Sequence, residues 1–197
     1  MDTAIANATE AVLLSHGYSA VNIDRVAKLA GTTRAAIYRR AKTRGELVVA
    51  LLVSRFGIDP AVDSGNLREN LRLIQELQRN FFVDPMVQAG LAGVLSDARD
   101  DHELGEVFYG RFMEPRRRSV AAMLARAADR GEIPSQTQPG VISDLLTGPL
   151  LLRAALPPIG PIDDALVNAT IEAALTVCGA VPTRATPPRS GPASKLV

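Results

Sequence analysis

Apolar positions recur at helical spacing along almost the whole chain. Ile5, Ala8, Thr9, Val12 and Leu13 follow an i, i+3, i+4, i+7, i+8 pattern, which predicts a first amphipathic helix ending at His16-Gly17. Asn22 is a good N-cap, and Ile23, Val26, Ala27 and Ala30 then share one face until Gly31 stops a second helix of barely two turns. Thr32-Thr33 offers another cap, and Arg34 to about Arg40 forms a third short helix with Ile37 facing inward. Thr43-Arg44-Gly45-Glu46 fits the S/T-x-x-E capping box and opens a longer fourth helix with Leu47, Ala50, Leu51 and Ser54 on one face. The breaker cluster from Gly57-Ile58-Asp59-Pro60 to Gly65 divides the chain. Five further helices are expected beyond it, at about 66–80, 86–100, 103–131, 138–154 and 162–180. Pro115 should kink or divide the third of these, and Pro157-Pro158-Ile159-Gly160-Pro161 forms a rigid connector. Residues 182–197, with four prolines among Ser, Thr and Gly, cannot bury enough surface to order themselves and are expected to be a disordered tail. No run alternates convincingly like a strand.

Composition sharpens this picture. The 197 residues suffice for one sizeable helical domain or two small ones. Aromatics make up only 4% of a chain that is 47% hydrophobic, so the apolar mass is aliphatic and suits helices packed on helices. The single cysteine, Cys178, excludes an internal disulfide and reads as a buried core thiol in a reducing compartment. No apolar run approaches the ~20 residues of a membrane span and the start lacks a signal-peptide layout, so a cytoplasmic protein is expected. His16 and His102 are far apart, without HExxH or CxxC spacing, and no GxGxxG, P-loop or nucleophile elbow occurs. No metal, cofactor or catalytic set is therefore expected.

Charge adds a function. The formal net charge of +1 conceals a split. Residues 1–55 carry eight Lys and Arg against four acids, while the remainder carries fourteen basic and seventeen acidic residues. All eight basic residues fall after position 24, so one segment can meet phosphate and the other cannot. Two short helices joined across Ala30-Gly31-Thr32-Thr33 have the dimensions of a helix-turn-helix. In the second of them Arg34 can fork onto guanine, Thr33, Ala35 and Ala36 can meet thymine methyls, and Tyr38 can donate to phosphate. Tyr38 can also pack its ring on the first helix. Arg39, Arg40, Lys42 and Arg44 are available for backbone phosphates, and Thr43 opens an anion-attracting helix N-terminus. Asn22 and Thr32 complete the set of candidate DNA contacts.

Gly17-Tyr18, Ile23, Val26-Ala27, the run Ala30-Gly31-Thr32-Thr33-Arg34-Ala35-Ala36-Ile37-Tyr38 and Glu46-Leu47 together resemble the DNA-binding signature of the tetracycline-repressor (TetR/AcrR) family. Arg130-Gly131-Glu132-Ile133, Asp144-Leu145-Leu146-Thr147-Gly148-Pro149-Leu150 and Arg153 are similar to the effector and dimerisation domain of one branch of it. The departures are an aromatic pair replaced by Leu13 and Ala41, Arg44 where Lys is usual, Ala35 where Gly is frequent, and no basic residue before position 25. Leu47 or Leu51 could refill the space the missing aromatics leave, and minor-groove contacts from an N-terminal arm are not expected.

The resemblance implies an all-α architecture of about nine helices. Residues 1–55 would form a three-helix helix-turn-helix DNA-binding domain and 56–181 a larger ligand-binding and dimerisation domain. It implies a ligand-responsive regulator, by family habit a repressor, that binds a near-palindromic operator as a homodimer and has no enzymatic activity. The last two helices are apolar on more than one side, which fits an intersubunit four-helix bundle or a central place in a larger monomer. Phe81, Phe82, Met86, Phe108, Tyr109, Phe112 and Met113 gather most of the aromatic and thioether surface, and either line an effector cavity or fill a core. Gln88, His102, Tyr109 and Arg153 are the polar candidates for orienting an effector. The rival reading is an all-helical small-molecule binder or enzyme whose basic segment docks on a partner protein.

Overall fold

The computed structural model describes residues 2–57 and 63–180. The tail expected over 182–197 and most of the breaker cluster lie outside the described residues. Ten α-helices occur among those described. The first four are α1 Thr3–His16, α2 Ile23–Leu29, α3 Arg34–Tyr38 and α4 Arg44–Phe56. There follow α5 Leu67–Val83, α6 Pro85–Asp100, α7 His102–Phe108, α8 Glu114–Asp129, α9 Pro139–Ala155 and α10 Asp164–Val177. A π turn over Tyr109–Met113 joins α7 to α8, so the two form one interrupted rod and the described residues make nine helical rods.

Local chemistry sets the short helices of the head. Asn22 Oδ1 accepts from the Arg25 N–H at 2.8 Å, Thr33 Oγ1 from Ala36 N–H at 3.2 Å and Thr43 Oγ1 from Glu46 N–H at 3.2 Å, so α2, α3 and α4 each carry a side-chain N-cap. The reciprocal arm of the capping box is displaced by one residue: Glu46 Oε2 accepts from the Lys42 N–H at 3.0 Å rather than from Thr43. The α2–α3 turn is a Schellman motif. Gly31 sits at φ 64°, and the N–H groups of Thr32 and Gly31 reach back to the carbonyls of Ala27 (3.0 Å) and Lys28 (3.4 Å). A side chain at position 31 would strain that left-handed backbone.

Pro115 divides the expected 103–131 helix rather than bending it. The break falls just before the proline, where the Glu114 N–H reaches five residues back to the Tyr109 carbonyl. Proline offers no N–H to the Arg111 carbonyl, and a widened turn absorbs the mismatch.

Two clusters of buried side chains hold the molecule. The first joins the head residues Leu13, Val26, Ile37, Ala41, Leu47 and Leu51 to Phe82, Met86, Val87, Val94, Leu104 and Phe108 of α5–α7. Packing is thus continuous across the boundary expected near residue 55. Leu13, Ala41, Leu47 and Leu51 are all buried in it, so aliphatic side chains occupy the space of the absent aromatic pair. The second cluster gathers Leu71, Ile74, Met123, Leu124, Ile142, Leu146, Ile171 and Cys178 at the far end. Burial there pushes the Cys178 thiol pKa up, which keeps it protonated and poorly nucleophilic. Gln75, buried between α5, α9 and α10, donates to the Leu146 carbonyl at 3.1 Å and to Thr170 Oγ1.

Candidate nucleic-acid interface and effector cavity

Helix α3 shows Ile37 inward, fully buried, and leaves Thr33, Arg34, Ala35, Tyr38, Arg39 and Arg40 exposed. Tyr38 is 55% exposed, so its ring is mostly off α1 and free to meet a partner. Asn22, Lys42 and Arg44 are also exposed, while Thr32, Ala36 and Thr43 are partly covered. Thr33, Thr43 and Asn22 spend their side-chain oxygens on the helix caps.

Three of the candidate cations have acidic partners within the chain, and Arg40 Nη1 donates to the Ala36 carbonyl at 3.0 Å. Arg34 pairs with Asp24 of α2 and Lys42 with Glu103 of α7. Both pairs are exposed, hold little energy and can yield to phosphate. Arg44 is held more firmly: its Nε and Nη2 donate to the two carboxylate oxygens of Asp97 on α6 at 2.9 and 3.1 Å, and its guanidinium lies 5.0 Å from the centre of the Tyr18 ring. Tyr18 donates to the same carboxylate at 2.9 Å. Burial first, then the hydrogen bond to Asp97 and the charge of that carboxylate, raise the Tyr18 pKa, while the hydrogen bond from Arg44 holds the Asp97 carboxyl below its ordinary 3.8. Asp97, Glu103 and Tyr18 were not visible as partners in the sequence, because 53 to 79 positions separate them.

A depressed folded-state pKa stabilises above the unfolded value, and that contribution is lost as pH falls through the folded value. The melting-temperature gap between the protein and Asp97→Asn is therefore expected to be full at pH 7 and to close progressively below 3.8. A gap that stays constant to pH 2 would show that the carboxylate charge contributes nothing.

Three glycines let head and body approach. A Cβ at Gly93 of α6 would overlap the Tyr18 ring, one at Gly45 of α4 would overlap Leu104, and one at Gly90 would lie 3.1 Å from both Leu13 and Val48.

Beyond this junction lies a cavity of about 390 Å³, within the ~300–1,000 Å³ range of small-molecule sites. Its walls come from Phe56, from Leu77, Gln78, Phe81 and Phe82 of α5, and from Leu91 and Leu95 of α6. Phe108, Phe112, Met113, Arg116 and Arg117 close one side, and Ser143, Asp144, Thr147 and Leu151 of α9 the other. Of the nine effector candidates, Phe81, Phe82, Phe112 and Met113 line it. Met86 is buried in the first core, and Gln88 sits over a small separate recess with Val87 and Leu151. His102 projects into solvent beside Glu106. Tyr109 is 52% exposed, being rotated by about 100° from Phe108 along the helix. Arg153 donates to the Pro161 carbonyl at 3.2 Å. The α9 contribution was legible only as the i, i+4, i+8 spacing of Ser143, Thr147 and Leu151. Among the described residues no group of three His, Cys, Asp or Glu could hold a metal, and no helix is long and apolar enough to cross a membrane.

An exposed basic helix after a tight turn, carried on a helical body with an internal cavity, defines a helix-turn-helix transcriptional regulator. Residues 5–51 match the family model of bacterial regulatory proteins of the tetR family, and residues 61–174 that of the tetracyclin repressor-like C-terminal domain. An uncharacterized HTH-type transcriptional regulator of Mycobacterium tuberculosis is 30% identical over 181 residues, covering 89% of this chain and 88% of its own. The DNA-binding transcriptional repressor TetR of Mycobacteroides abscessus is 28% identical over 176 residues, covering 84% and 87%. In fold, the chain is similar to a TetR family transcription regulator at a TM-score of 0.70, with 23% identity and coverage of 91% and 98%. FadR from Bacillus subtilis, solved in complex with stearoyl-CoA, matches at 0.64, with 15% identity and coverage of 92% and 100%. The chain belongs to the TetR family of transcriptional regulators.

Proposed function

We propose that this regulator grips its operator through the surface of α3 and the start of α4, as a homodimer built on α9 and α10, and that a small molecule in the Phe-lined cavity releases it. No catalytic step belongs to this reading, and an operator partner puts the protein in the cytoplasm. Residues 1–55 act as the DNA-reading head and 56–181 as the effector and dimer body. The observation that carries the reading is the exposed row Arg34, Tyr38, Arg39 and Arg40 on a helix braced by a buried Ile37 and a glycine turn.

The dimer surface is supported by what α9 and α10 leave uncovered. Val141, Leu152 and Leu156 on α9 and its C-cap, and Val177 on α10, are large apolar side chains in solvent. Ala165, Ala169 and Ala173 continue the exposed α10 stripe at i, i+4, i+8. The neighbouring acids Asp144, Asp164 and Glu172 are tied to Arg117, Arg79 and Arg68 of the same chain, which leaves the stripe itself apolar enough to cover.

Communication has a short route. Leu91 and Leu95 of α6 stand in the cavity wall, and Asp97, two residues on, holds Arg44 at the head of α4. A ligand that favours a shifted α6 lowers operator affinity by its differential affinity for the two arrangements.

The Arg39→Ala/Arg40→Ala double variant is expected to bind DNA taken from upstream of its own gene roughly 10- to 100-fold more weakly. If both contact phosphate, the slope of log K against log salt should flatten by about 0.9 per lost contact and half-site. Fluorescence anisotropy across a salt series reads both. Unchanged affinity and slope would remove α3 from the interface.

A further inference from the structure

We propose that the cavity takes a neutral, planar aromatic molecule carrying a hydroxyl or N–H donor, which Gln78 receives. The inference deepens the effector reading above and rests on it.

Rings dominate the walls. The chain has five phenylalanines, and all five face this one space. They form a connected chain of contacts: Phe56 to Phe81 at 4.9 Å, Phe81 to Phe82 at 5.1 Å, Phe81 to Phe112 at 5.3 Å and Phe112 to Phe108 at 5.5 Å between ring centres. The first two pairs meet edge to face and the last is stacked, so the cavity shows both ring faces and ring edges. A flat aromatic guest satisfies both, through offset stacking on the faces and edge contacts elsewhere. A flexible chain could use only the apolar area, and would lose rotamer freedom on entering.

The polar atoms select charge. Arg116 and Arg117 stand in the wall, yet each guanidinium is already committed. Arg116 lies 3.8 Å over the Phe112 ring and donates to the Phe112 carbonyl at 2.8 Å and the Gly57 carbonyl at 2.9 Å. Arg117 donates to Asp144 and to the Gly140 carbonyl. An anionic guest would compete with these acceptors for the guanidinium charge, and Asp144 would repel it. Ser143 spends its hydroxyl hydrogen on the Pro139 carbonyl at 2.9 Å. Asn80 and Thr147 also border the space, but the one shielded polar atom without a hydrogen-bond partner among the described wall residues is Gln78 Oε1, and a turn of its terminal amide, soft about its last torsion, would present that oxygen to a guest. A buried oxygen without a donor is a standing cost, and a guest hydroxyl or N–H would relieve it on binding.

Isothermal titration calorimetry on the full chain at pH 7 with four probes tests this. The probes are 4-phenylphenol, biphenyl, biphenyl-4-carboxylate and 1-dodecanol. The phenol is expected to bind about tenfold more tightly than biphenyl, and the carboxylate and the alkanol more weakly than biphenyl. Gln78→Leu should abolish the advantage of the phenol over biphenyl, and retained biphenyl binding shows that the variant is folded. Equal binding of phenol and biphenyl to the unaltered protein overturns the role of Gln78. Tightest binding by the carboxylate or the alkanol overturns the neutral or the planar class, and no binding by either ring probe overturns the proposal. Operator anisotropy with and without 4-phenylphenol is read separately. Ring binding without operator release would sink ligand-driven release and leave the ligand class standing, whereas operator binding with no ring binding would sink the ligand class alone.

Discussion

Leu152→Glu is expected to yield a folded monomer that no longer retains operator DNA. Leu152 lies in the exposed apolar stripe of α9 and α10, half accessible in the single chain. In a two-fold interface the same patch appears on both subunits, so one substitution introduces two carboxylates into the covered surface. An unpaired buried charge costs several kcal/mol, enough to separate the subunits at micromolar concentration. Because α9 packs its other face into the second cluster through Ile142 and Leu146 and into the first through Leu150, all fully buried, the fold itself should survive. Operator affinity should fall by about 10²–10⁴, the factor lost when two linked half-site contacts become one. Light scattering on a sizing column reads the first effect and anisotropy the second. A Leu152→Glu protein that remains dimeric would place the interface elsewhere.

Gly93→Val should produce the second large effect, on stability and on the placing of the head. Its Cβ would coincide with the Tyr18 ring, and aromatic carbons held by the first core cannot step aside cheaply. Overpacking of this kind costs about 1–3 kcal/mol, and expelling the ring also removes the Tyr18–Asp97 hydrogen bond and the ring beside Arg44. A loss of about 2–4 kcal/mol corresponds to roughly 5–15 °C in Tm for a chain of this size. The Tyr18→Ala/Gly93→Val pair tests the cause: if the clash is responsible, the double variant should be less destabilised than the sum of the single ones. Strict additivity would show that position 93 acts through helix propensity alone.

The head was the most legible part of the chain because everything that shapes it is local. Asn22, Thr33 and Thr43 cap within three residues, and Gly31 closes its turn against carbonyls three and five positions back. The cavity was legible in part. A density of Phe and Met in the middle of the sequence located it, but membership depends on helical phase and on α5, α8 and α9 converging. Hence Phe81 and Phe112 line it, while Tyr109 and His102 point to solvent. The Arg44–Asp97–Tyr18 clasp left no trace in the sequence, since its members are distant and each is ordinary alone. The one usable signal was glycine inside a helical pattern at 90 and 93, where a close backbone approach is the physical reason to tolerate the helix penalty.

The shared core between head and body carries a consequence for how such regulators can be rebuilt. A DNA-reading head grafted from a relative would arrive with its own side chains opposite Gly90, Gly93 and Leu104, and any bulkier or smaller set would leave a clash or a void at the seam. With α3 as the proposed reading surface, new operator preferences would be written residue by residue along its outer side, where Arg34, Ala35, Tyr38 and Arg39 are exposed. Exchange of the entire segment would have to carry the facing turns of α6 and α7 with it.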